Sequence, residues 1–509
     1  MGYREISLKL PTDYTEDDLR KRIGKELHLQ QFTFQTENKS LDARNKNSIH
    51  WLLRVAVFSP ELKGESPEEN PTLVIPYRKR KEKVLVTGSG PAGFFAAYVL
   101  QKAGFQTTLI ERGTEVDKRA GGIRQFEKTG VFNPASNYAF GEGGAGTFSD
   151  GKLTSRSKHI STERQFILSA YVNVGAPKEI EYMTHPHVGS DNLKIIVKNL
   201  RDEFRRIGGT LLFETMLQDV HVTKNKITGV LTSRGELIAD IYFIAPGHSA
   251  FETYRMLMKR GIPFRTKNFA IGYRVEHPQE IINRAQWGKK SLPGVKAAEY
   301  RLTFNNGNLP VYTFCMCPGG TIVPATAYEH TNIVNGMSLF QRDGRFANAA
   351  CVAGINPCQL LNREITPPEV LDWLEQLEME FYTYSSGYAA PFCRISDFIN
   401  QKDPSGTVES SYPMGLSPAP LWNMLPLPVS NAIRDGLKDF SRKVKGFETG
   451  SIMGLESKTS SPVQVVRDPD GKCSGIENLY IVGEGSGYAG GIISSAADGI
   501  RAAMGIIGS

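Results

Sequence analysis

Cysteine and tryptophan are scarce in this 509-residue chain, six and four respectively. The cysteines stand at 315, 317, 351, 358, 393 and 473, and no spacing among them suggests a disulfide framework. There is no paired C-x-x-C and the histidines are scattered, so no structural metal is expected. No apolar run approaches the roughly 18 residues of a membrane span. A signal-peptide core is also missing: Ile6-Ser-Leu8-Lys-Leu10 alternates as a strand does, and a cytoplasmic protein with reduced thiols is expected. Internal repeats and long low-complexity segments are absent. Charge excess is small, +7 over the chain, and its dense run is Arg78-Lys-Arg-Lys81-Glu-Lys83. No aromatic residue interleaves those charges, so a solvated linker is favoured over a nucleic-acid patch.

Glycine is abundant, and its placement carries the first positive signal. Lys83-Val-Leu-Val-Thr-Gly88-Ser-Gly90-Pro91-Ala92-Gly93 reads as a buried strand, a tight turn and the start of a helix. A second strand follows, ending at Thr108-Leu-Ile-Glu111-Arg112. Such a unit grips the ADP half of a dinucleotide. The first glycine allows the turn, the second lets backbone approach a pyrophosphate, the third lets helix and strand pack, and Glu111 is placed for a ribose diol. The helix N-terminus offers its free N–H groups to the phosphates.

A second glycine segment, Tyr480-Ile-Val-Gly483-Glu484-Gly485-Ser-Gly487-Tyr-Ala-Gly490-Gly491-Ile492, distinguishes FAD from NAD. It resembles another dinucleotide turn, yet too little chain follows for a second ribose strand. We read it as an element returning to the first sheet, with Glu484 at the ribityl chain and the last helix aimed at the flavin pyrimidine, where its dipole favours the reduced, anionic ring. Between them lies Gly141 to Leu153, with Gly143, Gly144, Gly146, Thr147, Ser149, Asp150 and Lys152 as expected cofactor contacts. FAD is expected to be non-covalent, because no attachment sequence is evident.

These segments, with Phe314-Cys315-Met-Cys317-Pro-Gly-Gly320, Val334-Asn-Gly-Met-Ser338 and Thr459-Ser-Ser-Pro462, resemble a bacterial family of FAD-dependent dehydrogenases of unassigned substrate. The resemblance reaches Lys39-Ser-Leu-Asp-Ala-Arg44 and so covers nearly the whole chain. It implies membership of the glutathione-reductase-type flavoprotein superfamily, in the branch with amine oxidases and prenyl reductases. It also implies that the apolar strand ending at Gly247 closes the sheet near the flavin. Two segments depart. Phe251-Glu252 stands after Gly247-His248-Ser-Ala where the resemblance implies an arginine–aspartate pair, and Lys458 stands where arginine is expected, losing the planar fork.

The expected fold class is α/β: an interrupted Rossmann-type FAD-binding domain, a mixed α+β substrate domain and a small N-terminal ferredoxin-like α+β domain. The boundaries read as 1–80 for the N-terminal domain, 81–268 and 445–509 for the two parts of the FAD domain, and 269–444 for the substrate domain. Catalytic candidates are Cys315, Cys317, His248 and Lys152. In a regular strand the two thiols share a face with Cα atoms roughly 6.5 to 7 Å apart, at the outer limit for a disulfide unless Pro318-Gly-Gly bends the chain. Two structural cysteines remain an equal reading. The expected activity is FAD-dependent hydride transfer with a small-molecule substrate, NAD(P)H being at most a transient donor because only one complete dinucleotide unit is present. Two alternatives stay open: a flavin-dependent RNA-modifying or RNA-binding protein, and a flavin-bearing structural or sensor protein without turnover. Oligomeric state is left open.

Overall fold

The computed structural model describes residues 2–64, 72–155, 157–404 and 406–508; the linker stretch 65–71 lies outside them. Its N-terminal unit runs strand Gly2–Leu10, helix Glu16–Leu27, strand Thr33–Asp42, strand His50–Ser59. The last strand lies in the middle, antiparallel to both others. This is the βαββ beginning of a ferredoxin-like fold; a second helix and fourth strand are not found among the described residues. Leu8 and Leu10 are buried while Lys9 is exposed, as strand alternation requires, and they meet Leu19 and Ile23 of the helix. Thr15 caps that helix reciprocally with Asp18. The edge strand docks on the neighbouring domain, where the Lys39 N–H donates to Tyr182 O and the Thr184 N–H to Lys39 O.

The basic run is only partly a solvated linker. Arg80 donates to the carbonyls of Ala103 and Ile507 at 2.9 and 3.1 Å and lies over the Phe105 ring. It ties the linker to the ends of two helices. The other basic residues of the run are exposed.

Five parallel strands form the central sheet, in the order Leu479–Ile481, Ile241–Ile244, Lys83–Thr87, Gln106–Ile110, Thr210–Leu212. Numbered along the chain this is 5-4-1-2-3, the dinucleotide-binding order with its reversal beside the first strand. Val84, Leu85 and Val86 are buried consecutively because helices or sheet cover both faces. Helix Pro91–Lys102 is buried on every side from Ala92 to Leu100. The terminal helix Ile492–Gly508 lies against it, close enough that a Cβ on Gly499 would stand 2.1 Å from Ala92 O. An antiparallel trio, Leu217–Thr223, Lys226–Thr232 and Gly235–Leu237, is inserted before the fourth strand.

Above the central sheet stands a seven-stranded one, ordered Thr303–Phe304, Val311–Cys317, Phe346–Ile355, Phe269–Pro278, Ser451–Glu456, Ala390–Arg394, Leu416–Pro418. Ser451–Glu456 pairs on both sides within this sheet. The expected boundary at 444 is therefore too early, and the second domain extends through Glu456. Helices Pro367–Ser385 and Leu427–Lys443 cover the sheet and complete its apolar core.

Candidate functional site

At the glycine turn, Gly88 has φ +93 and a Cβ there would meet Ala245 O at 2.3 Å; a Cβ on Gly93 would meet Gly88 O at 1.9 Å. Both positions exclude any side chain. Gly90, the helix N-cap, makes no side-chain cap bond, and Pro91 opens the helix at N1. No acid occupies its first turn. The free N–H groups thus face a space fit for an anion.

Glu111 is 5% exposed, and protein donors surround it. One oxygen accepts from the Ser89 N–H and hydroxyl, both at 2.8 Å; the other accepts from the N–H groups of Gly113 and Gly141 at 2.9 and 3.1 Å. It clamps the glycine turn to the Gly141 loop, a positioning role beyond the ribose contact expected of it. Arg112 pairs with Glu252 and covers the Phe140 ring.

The loop from Gly141 meets both other cradle segments. A Cβ on Gly144 would stand 3.0 Å from Gly90 Cα, and one on Gly146 would stand 3.2 Å from Ile492 Cγ1. Arg119 fixes its shape. Fully buried on helix Val116–Thr129, it donates to the carbonyls of Asn137, Tyr138, Glu142 and Gly144 at 2.8 to 2.9 Å. Thr147 and Ser149 serve the loop itself, donating to Glu142 O and Gly146 O. Asp150 turns away toward the second domain, accepting from Ser338, from Lys152 at 2.7 Å and from both arms of Arg342 at 3.1 and 2.6 Å. Burial opposes its ionisation, but the two cations hold it well below the usual carboxylate range. Lys152 also donates to Met316 O, so it bridges the loop to the C-x-C segment.

Arg274 carries the upper side. It lies in strand Phe269–Pro278, fully buried, bonded to Asn348 at 2.7 Å, Glu456 at 2.8 Å and Cys315 O at 2.8 Å, with its Nη2 3.5 Å from Cys317 Sγ. His248 follows Gly247 as expected, its Nδ1 3.8 Å from Glu484 Oε2. Burial, reinforced by Lys458, pushes the imidazole down to about 3, so it is neutral. Burial lifts Glu484 to about 7 against the Gly491 N–H and the Lys267 ammonium. Lys267 donates to Gly487 O at 2.8 Å and lines a cleft of about 470 Å³ with Phe269, Tyr312, Ile355 and Ser460.

The C-terminal glycines complete the cradle. Gly483 abuts Ala92, a Cβ on it standing 2.5 Å from the Ala92 Cβ, and Gly485 abuts Gly247 O. Gly490 sits beside Glu484, while nothing lies within 4 Å of a Cβ on Gly491 or Gly247. The turn, the Gly141 loop and this segment therefore converge, leaving bare backbone and a helix N-terminus without acid in its first turn. These residues fit FAD. Sequence reasoning missed Arg119, Arg274 and Arg342. For Arg119 a signal existed: Val116, Arg119, Ile123 and Phe126 form one helical stripe, all buried.

The convergence of these segments on a sheet of this order defines a FAD-dependent oxidoreductase. Residues 81–237 match the FAD binding domain, and residues 268–459 match the FAD-dependent protein, C-terminal domain-like family. The chain belongs to this family of FAD-dependent proteins: an uncharacterized protein of Clostridium beijerinckii is 36% identical over 530 residues, covering 100% of this chain and 99% of its own. Among solved structures, L-proline dehydrogenase from P. horikoshii aligns with TM-score 0.34 at 13% identity, covering 85% of this chain and 94% of its own. Glycine oxidase from Bacillus cereus gives TM-score 0.32 at 13% identity, covering 84% and 95%. CtdE in complex with FAD gives TM-score 0.36 at 12% identity, covering 84% of each. No helix among the described residues is long and apolar enough to cross a membrane.

Proposed function

We propose that the chain transfers hydride between a carbon of a small-molecule substrate and flavin N5, in the cytoplasm, with NAD(P)H at most a transient donor. The observation that carries this reading is the junction at Lys152, where the loop of the cradle bonds the C-x-C segment of the roof through Met316 O. This link supports a reading in which the roof's polar groups lie over the cofactor cradle. Bound FAD would supply the two-electron chemistry; the glycine turn, the Gly141 loop and Gly483 to Ile492 would hold it. The chain's own residues set charge and proton positions. His248, held neutral, can donate or accept a hydrogen bond, and Glu484, raised to about 7, can hold or release a proton at its carboxyl. The cleft beside Lys267, whose ammonium bonds Gly487 O, offers room for a small molecule next to the closing glycine segment. Anaerobic screening of metabolites and of NAD(P)H against the purified flavoprotein tests this. Loss of the oxidised flavin spectrum with a metabolite is expected. A flavin that neither metabolites nor NAD(P)H reduces, and whose reduced form no metabolite reoxidises, would refute turnover.

A further inference from the structure

Strand Val311–Cys317 does not end regularly. Phe314 pairs opposite Ala350, and the next pairing is Cys317 opposite Asn348, so the strand carries one residue too many. Cys315 adopts φ +44, a left-handed conformation that strains a residue bearing a Cβ. A regular strand would separate the Cα atoms of the two cysteines too widely for easy bridging; the bulge breaks that spacing at Cys315 itself, ahead of Pro318. The Cys317 thiol donates to Cys315 O at 3.3 Å and lies within reach of the Cys315 sulfur. The outer cysteine is half-buried and the inner one fully buried.

Two cations grip this three-residue segment. Arg274 bonds Cys315 O and reaches the Cys317 sulfur, and Lys152 bonds Met316 O. The hydrogen bond from Cys317, aided by Lys152 and Arg274 against the effect of burial, holds the Cys315 thiol well below its usual value. The same hydrogen bond and burial keep Cys317 protonated. Elsewhere burial pushes Cys351 and Cys473 up to about 12. One thiolate beside one thiol is the arrangement from which a disulfide closes. The pair also faces the cradle, for Lys152 belongs to the Gly141 loop and Glu484 is near enough to feel charge on Cys315.

We infer that Cys315 and Cys317 are a redox dithiol that closes to a disulfide, with the bound flavin as its two-electron partner. This rests on the flavin reading above and gives the site a second electron pair. Closing joins the Cys315 thiolate and the Cys317 thiol in one S–S bond and releases two electrons and one proton. The oxidised flavin takes up all three, becoming the anionic reduced form. The reverse opens the bridge.

Anaerobic dithionite titration of the flavoprotein, after mild oxidation and removal of the oxidant, tests this together with alkylation mapping of the Cys315–Cys317 peptide, the iodoacetamide being added in denaturant so that burial protects neither thiol. The parent is expected to take up two electron pairs per flavin, with both thiols protected from iodoacetamide before reduction and both alkylated after. Cys315→Ser and Cys317→Ser are expected to take one pair. A parent that takes up one pair, with both thiols alkylated in the oxidised protein, overturns the dithiol. So does a long-wavelength thiolate–flavin band lost in Cys315→Ser while the parent takes only one pair. Parent stoichiometry and alkylation decide the matter if the variants fail to fold. A purified protein without flavin, seen from its spectrum before titration, would overturn both readings; flavin present with a one-pair parent overturns this one alone.

Discussion

Gly90→Ala and Gly93→Ala lie one helical turn apart and should fail in different ways. Gly90 has φ −65 and ψ 176, backbone open to any residue, and an added Cβ would find its nearest neighbour, Gly144 Cα, at 3.7 Å. Stripped of cofactor, this variant should unfold within about 0.5 kcal/mol of the parent. The methyl group fills the space through which the backbone approaches a pyrophosphate. FAD affinity should then fall on the order of 100-fold, about 2.7 kcal/mol. Gly93→Ala puts its Cβ 1.9 Å from Gly88 O and 3.2 Å from the Ala245 Cβ. Neither neighbour can give way without parting helix from sheet, so the stripped protein itself should lose about 1 to 3 kcal/mol. Denaturant unfolding of stripped protein and FAD titration by flavin fluorescence separate the two effects. Parental FAD affinity in Gly90→Ala would show that the pyrophosphate does not cross this turn. Parental stability in Gly93→Ala would show that helix and strand are not so closely packed.

Arg119→Met leaves the four loop carbonyls without their donor and should cost about 3 to 5 kcal/mol in unfolding, with loss of FAD retention; parental retention would remove Arg119 from the support of the cradle. Glu111→Gln sets an amide N–H₂ against N–H donors and should destabilise even the stripped protein, by about 1 to 3 kcal/mol; a change confined to FAD affinity would return Glu111 to the ribose contact alone. Glu484→Gln should change the pH dependence of unfolding in the stripped protein. In the parent, burial raises this carboxyl from the ordinary 4.5 to about 7, so the native state keeps a proton that the unfolded chain has lost between those values. That stabilisation is full below 4.5 and is lost as pH rises through 7. Relative to the parent, the variant should gain up to about 3 kcal/mol between pH 4.5 and 8, and a flat difference would contradict the buried carboxyl.

Local rules made the cradle legible. The glycine turn, the acid after the second strand and the closing glycines are each fixed by short-range geometry, and all lie where their spacing indicates. The roof was less legible because its polar residues are held by long-range pairing. Arg274 sits in a strand whose neighbours are buried on both faces, and its partners Asn348 and Glu456 lie 74 and 182 residues away. Asp150 reads as a phosphate contact beside loop glycines, yet Arg342, 192 residues on, draws it to the roof. The C-x-C spacing assumed an unbroken strand, and the left-handed turn at Cys315 has no sequence marker such as glycine. In the N-terminal unit, the alternation gave the strands but not the number needed to complete the fold.

The two positions at which the resemblance implies arginine, 251 and 458, are in contact. Phe251 is fully buried, and the Lys458 ammonium lies 3.8 Å from its ring centroid. Lys458 also stands 2.7 Å from Glu378 Oε1, which accepts from the Ser457 hydroxyl. One cation is thus balanced by one carboxylate and one aromatic face, all shielded from water. An arginine at 251 would bring a second cation against Lys458 with the same carboxylate to share. Glu252 offers no relief, because it is committed to Arg112 and Tyr328. A ring thus stands where the resemblance implies a guanidinium. What remains near His248 is a point charge, which adds to burial in keeping the imidazole neutral but lacks the two parallel donors that grip a carboxylate or phosphate.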